Sequence, residues 1–225
     1  MDEVFMVPSQ VPVFPHPELV LFPRAVLPLH MYEPRYRQMI ADVLESDRFI
    51  ATALLKPGWE PHYHTLHAPI HGVVSIGHIV AAEKTEKGDY NVLLRGLIRA
   101  RVLEEIEHEP YRVVRVRPLK DVQEVPPAAL EKSRHTLRET IETEPIGDDE
   151  VRAYWLKLLG TQLGLGDVAD LIASALPVDA ELRQCLLAEL DPVARTSLLG
   201  DHIRTMASVM RVRRTQNPEA GWKMN

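Results

Sequence analysis

The chain of 225 residues contains a single cysteine, Cys185. No internal disulfide can form, and so sparing a use of thiol fits a reducing compartment. The first ten residues, MDEVFMVPSQ, open on two acids and lack the apolar run of a secretory signal. No segment approaches the roughly 18 apolar residues that a membrane span requires. Positive excess is missing too. Up to Lys120 there are 14 basic and 15 acidic residues, and beyond it 12 and 17, for a net charge of −6. Counterion-release binding to a phosphate backbone is therefore not expected. Aromatic residues make up only 6% of the chain, which leaves few rings to stack on bases. Reactive motifs are absent as well. No Gly-x-x-x-x-Gly-Lys-Ser/Thr loop occurs, and no lysine follows Gly160, Gly164 and Gly166 at the needed spacing. No Gly-x-Ser-x-Gly elbow surrounds Ser75 or Ser197. These absences predict a cytoplasmic protein with no membrane partner, no cofactor and no catalytic residues.

What is present is an ordinary globular composition, 45% apolar and 26% charged, long enough to bury a real core. Its character changes near Pro118. Before that point short apolar segments at 11–14, 25–29, 49–55, 72–83, 90–95 and 111–117 read as strands, with a further strand after Gly96. The prolines of the first two suggest sheet edges. Lys87-Gly88-Asp89 reads as a hairpin turn. Pro34 suits the first turn of a helix, and Tyr36, Met39, Ile40, Val43 and Leu44 form its apolar stripe. After Pro118 only helices are expected, near 128–143, 148–163, 167–176, 179–190 and 192–213, with Asp167, Asp179 and Asp191 as N-caps. Arg211, Arg213 and Arg214 would complement the last helix's dipole. The boundaries predicted are a β-rich part at 1–120, a helical bundle at 121–215 and a fraying tail at 216–225.

The stretch LFPRAVLPLHMYEPRYRQMIADVL, residues 21–44, resembles the opening signature of the Lon protease N-terminal, or substrate-binding, domain. Gly96-Leu-Ile-Arg99-Ala-Arg101 is similar to that family's glycine–arginine strand. Gly166 to Asp170, Leu186 to Asp191, and Arg195 resemble its helical half. Arg24 departs from the pattern, standing where many relatives carry glycine. The resemblance implies a PUA-like pseudobarrel followed by a helical bundle. It also implies a non-catalytic module that binds unfolded or tagged polypeptide, with a separate protease or chaperone as a further partner. The ATPase and Ser–Lys protease parts of Lon find no counterpart in these residues, so an adaptor or quality-control role is expected. The competing reading is an RNA-binding or small-ligand-binding protein that reuses the same fold. No oligomeric state follows from the sequence.

Candidate binding residues are the apolar, proline-flanked Phe14, Leu19, Phe22, Leu29 and Tyr32, which would line a groove beside the first helix, with Glu33 and Arg35 at the helix entry. Glu33 also suits the helix dipole. A strand edge at 11–14 would let a partner strand add. His62, His64, His67 and His71 form a weak metal-like loop that matches no zinc spacing and reads better as exposed histidines. Arg95, Arg99, Arg101, Arg112, Arg115 and Arg117 are interspersed with Glu104, Glu105, Glu107 and Glu109. That mixture reads as solvated strand faces and cross-strand ion pairs. Cys185 beside Leu182, Leu186 and Leu190 reads as a buried thiol.

Overall fold

The structure, a computed structural model, describes residues 6–216. Its elements are β1 (Gln10–His16), β2 (Val26–Met31), α1 (Pro34–Leu44), β3 (Phe49–Leu54), β4 (Val73–Lys84), β5 (Tyr90–Ile106), β6 (Arg112–Leu119), α2 (Pro127–Thr143), α3 (Asp149–Leu159), α4 (Leu165–Ala175), α5 (Ala180–Ala188) and α6 (Pro192–Gln216). This is the α+β class expected, with strands first and helices after. The tail beyond Gln216 and the side chains of Arg213 and Arg214 lie outside the described residues. Two compact units form. One joins the chain up to Lys120 with Ala173–Leu190; the other joins Asp121–Ile172 with the chain from Asp191.

In the first unit the strand order is β2-β5-β4-β3-β1-β6, and β5 also pairs with β6. That extra pairing closes β5-β4-β3-β1-β6 into a barrel and leaves β2 attached to β5 alone. Strand β5 can serve both neighbours because it is 17 residues long. Residues 90–95 pair with β2 and residues 99–106 with β6. The sequence suggests two strands divided by Gly96, but the strand runs straight through. The glycine marks a close approach instead: a Cβ there would collide with the Phe22 carbonyl oxygen. Arg24, whose amide donates to the Gly96 carbonyl over 2.8 Å, has φ 66°. That is the left-handed region a glycine adopts without steric cost.

Strand β1 is not a sheet edge, contrary to the sequence expectation. It pairs with β6 through residues 10–13 and with β3 through residues 13–16. Each of its prolines falls in one register only, Pro12 opposite Val113 and Pro15 opposite Ala53. A proline is tolerated where the strand changes partner, because its missing N–H need not serve a second neighbour. Alternation along β3 buries both faces. Phe49, Ala51 and Ala53 join the barrel interior, while Ile50 joins a second core with Met39, Ile40 and Val43 of α1. Pro34 opens α1 as predicted, and Tyr36, Met39, Ile40 and Val43 are its buried face.

Helix α5 packs in the barrel unit rather than in the bundle of residues 121–215. Its Gln184 amide donates to the Val73 carbonyl at 2.9 Å, and Arg99 Nε donates to the Leu187 carbonyl at 2.7 Å. Gln184, Leu186 and Leu187 are the residues it buries. Cys185 is consequently exposed, not buried. Asp179 caps α5 by accepting from the Leu182 amide. Asp191 accepts from the Val193 amide at 2.8 Å, ahead of Pro192. Asp167 lies inside the first turn of α4, which begins two residues earlier than expected. Among the described residues, no helix is long and apolar enough to cross a membrane.

In the second unit Trp155, Leu158, Val168, Ile172, Leu199 and Ile203 are buried. Arg195, with no exposed surface, is ion-paired to Asp121 and Asp170 and donates to the Gly166 carbonyl.

Candidate functional site

Strand β2 reads Val-Leu-Pro-Leu-His-Met and carries neither a lysine nor a carboxylate. Edge strands are usually guarded by such charges, because bare main-chain groups invite another strand. The Ala25 carbonyl accepts from the Gly96 amide at 2.8 Å. Alternation from that bond puts Leu27, Leu29 and Met31 in hydrogen-bonded pairs with β5. The main-chain groups of Val26, Pro28 and His30 then face away from β5, toward the open edge. Pro28, lacking an N–H, removes one donor there and leaves those of Val26 and His30.

Both sides of β2 are hollowed. On the outer face, Pro28 and His30 lie opposite Leu93 and Asn91 of β5, and with Ala82 and Glu83 of β4 they line a groove of about 520 Å³. Leu93, 36% exposed, lines it, and Val26 of β2 and Val80 of β4 are 53% and 46% exposed. On the other side, a pocket of about 190 Å³, the seam pocket, is lined by residues of β2 and of the end of β1. Phe14, His16, Leu29, Tyr32, Glu33, Tyr36 and Tyr63 form its wall. Pro28, Leu29 and His30 line both hollows.

The pocket is held by a polar clamp. Glu33 is the α1 N-cap by position, but its carboxylate makes no cap bond. It accepts from Arg35 Nε at 3.0 Å and from the Tyr63 hydroxyl at 3.2 Å. Arg35 also donates to the Tyr63 and Thr65 carbonyls, and its guanidinium lies 4.5 Å over the Tyr36 ring. These bonds pin the loop of Tyr63 and Thr65 to the helix entry. The Tyr36 hydroxyl is buried without a hydrogen-bond partner among the described residues. Burial pushes its acidity well down, so it stays protonated. Burial also lowers the pKa of His16, outweighing the opposing pull of Glu18 and Glu33. Its Nδ1 accepts from the Glu18 amide at 3.1 Å, which leaves the proton of the neutral ring on Nε2.

Residues 10–205 match the family of the ATP-dependent protease La (LON) substrate-binding domain. The chain belongs to this family. Lon protease of Trichlorobacter lovleyi is 26% identical over 200 residues, covering 89% of this chain and 24% of its own length. Lon protease 2 of Myxococcus xanthus is 26% identical over 210 residues, 92% of this chain and 25% of its own. The chain therefore spans about a quarter of the length of the curated relatives it matches. Two solved structures share the fold. A Lon N-terminal domain protein from Xanthomonas campestris has TM-score 0.62 and 22% identity, covering 85% of this chain and 97% of that one. The N-terminal domain of Mycobacterium avium complex Lon protease has TM-score 0.66 and 16% identity, covering 87% and 98%.

Within this Lon-type fold, Phe14, Leu29, Tyr32 and Glu33 meet around the one pocket, and Arg35 braces it. Leu19 packs half-buried against the second core. Phe22 is fully buried and supports the barrel instead of lining a groove. The Lon-like motif residues of the helical half resolve into a structural device: Gly166, Asp170 and Arg195 belong to the buried ion cluster with Asp121. The edge position of β2 was expected from its proline, whereas Tyr63 and the outer groove were missed; the uncharged VLPLHM stretch was the available signal for the groove. His62, His64 and His67 are exposed, while His71 lies 3.4 Å from the Glu181 carboxylate. Among the described residues, no group of three or more metal-ligating side chains converges. The arginines divide between surface and interior: Arg101 and Arg117 are exposed and lie opposite one another across β5 and β6. Arg112 is buried, bidentate to Glu105 and bonded to the Ala68 carbonyl, and Arg99 is buried as well. Arg115 pairs in the open as expected, with Glu104 at 3.0 Å.

Proposed function

We propose that this chain is a non-catalytic polypeptide-binding module of the Lon substrate-binding type. It would act as an adaptor in protein quality control and present unfolded or tagged chains to a separate protease or chaperone in the cytoplasm. One observation carries the reading: β2 is an uncharged strand with an open edge that carries exposed Val26, and the sheet beside it exposes Leu93 of β5 and Val80 of β4. Exposed apolar side chains on the strands beside free main-chain groups suit segments that a folded protein would bury. An RNA-binding reading draws no support from Arg99 and Arg112, which are buried, or from Arg115, which is paired with Glu104.

The test is calorimetric binding of reduced, carboxymethylated α-lactalbumin against the native form. Binding of the unfolded form alone is expected, weakened at least tenfold in a Val26→Asp, Leu93→Asp double variant that keeps its circular dichroism spectrum. Equal binding of both forms, or an unaffected double variant, contradicts the assignment. Casein degradation by the pure chain would overturn its non-catalytic part.

A further inference from the structure

We propose that β2 receives its polypeptide as an added β-strand, and that the seam pocket selects a lysine on one face of that strand. This rests on the polypeptide-binding reading above and specifies its geometry and sequence preference.

The N–H of Val26 and of His30 and the carbonyls of Val26, Pro28 and His30 face the open edge. None of them bonds to another described main-chain group. An extended segment alongside β2 would satisfy them with its own main chain. Side chains of such a segment point alternately to the two sides of the sheet. Each side already holds a hollow, and both hollows share Pro28, Leu29 and His30. Alternate residues would therefore enter different environments.

The outer groove is floored by Leu93 and Ala82 and suits a branched apolar side chain. The seam pocket differs. Its walls are rings, Phe14, Tyr32, Tyr36 and Tyr63, around one carboxylate, and no lysine or arginine is among its lining residues. A lysine ammonium has three donors and no acceptor. It would find ring faces and the Glu33 carboxylate. A carboxylate side chain would meet Glu33 and no free cation, because Arg35 is committed to Glu33 and to two carbonyls. Glu83 gives the outer groove the same sign. The favoured occupant is an extended segment in which lysines alternate with branched apolar residues, and acidic segments are rejected.

The probe is a fluorescein-labelled decapeptide of alternating valine and lysine, followed by anisotropy with the whole chain. A valine–glutamate decapeptide is the control. The lysine peptide is expected to bind at least tenfold more tightly. Two further lysine peptides carry N-methyl groups on every valine amide or on every lysine amide. Amides of alternate residues share one strand edge, so a strand addition is blocked by one series and tolerates the other. Binding reduced at least tenfold in one series alone supports the proposal. Equal binding or equal loss in the two series overturns it, as does a glutamate peptide that matches the lysine peptide. If carboxymethylated α-lactalbumin binds and the lysine peptide does not, strand addition fails while polypeptide binding stands. If neither binds, both readings fail.

Discussion

Replacing Arg195 by methionine tests whether the Lon-like motif of the helical half exists to fold the second unit. The guanidinium is fully buried and faces two carboxylates, Asp121 and Asp170, the latter 3.2 Å away and 1% exposed. Methionine fills similar volume, so the loss is chiefly electrostatic. Asp170, 1% exposed, would lose the Arg195 charge inside the core, whereas Asp121 is partly exposed and can rehydrate. Breaking a buried pair from one side costs about 3–5 kcal/mol. With a urea dependence of roughly 2 kcal/mol per molar, the midpoint should fall by about 2 M. The assay is equilibrium urea unfolding by fluorescence in a Trp59→Phe, Trp222→Phe background, where Trp155, buried in the same unit, is the remaining tryptophan. Adding Asp170→Asn to Arg195→Met should recover about 1–2 kcal/mol by removing the stranded charge. A midpoint shift below about 0.3 M, or a deeper loss on adding Asp170→Asn, would refute this account of the cluster.

Gly96→Ala drives a methyl into the Phe22 carbonyl and should destabilise the barrel unit by about 3 kcal/mol, seen as a lower thermal midpoint. Arg24→Gly relieves a positive φ; with about 1–2 kcal/mol of strain removed and part returned as chain entropy, a gain of roughly 0.5–1 kcal/mol is expected in denaturant titrations. His16 binds its proton less readily folded than unfolded. As pH falls through about 6.5, the unfolded chain therefore takes up a proton that the folded one refuses, and stability drops. His16→Asn should flatten that part of the pH–stability curve, and an unchanged slope would assign it elsewhere. Tyr111, bonded to Asp42 at 2.7 Å, has its pKa pushed up to about 12 by burial and that bond. Stability should fall as pH rises from about 10 toward that value, and Tyr111→Phe should reduce this loss, leaving the part that Tyr36 and Tyr63, whose pKa values burial also raises, contribute.

Much of the fold is legible in residue order. The stripe from Tyr36 to Val43, the proline at the start of α1 and the valine alternation of β6 each report which face of an element is apolar. Periodicity is silent about neighbours. Nothing in VPVF distinguishes an edge strand from one shared between β3 and β6, so the prolines of β1 misled while Pro28, on the true edge, did not. Cys185 was misjudged for a related reason: the stripe Leu182, Leu186, Leu190 is helical in spacing, yet the sheet covers the face of Gln184 and Leu187. The pocket was half visible. Phe14, Leu29, Tyr32 and Glu33 stood out locally, but Tyr63 reaches Glu33 across 30 residues of chain, a distance no local pattern encodes.

The return of the chain to the barrel at Ala173 sets an order of events during synthesis. Arg99 waits 88 residues for the Leu187 carbonyl, and the Val73 carbonyl waits 111 for Gln184. On a ribosome adding about 5–20 residues per second, the barrel unit would stand for several seconds with its α5 face uncovered and the Arg99 guanidinium lacking that acceptor. A fragment cut at Lys120 would remain in that state permanently. The natural division of this protein is therefore not a point along the chain, and any dissection of its two units must carry Ala173–Leu190 with the strands.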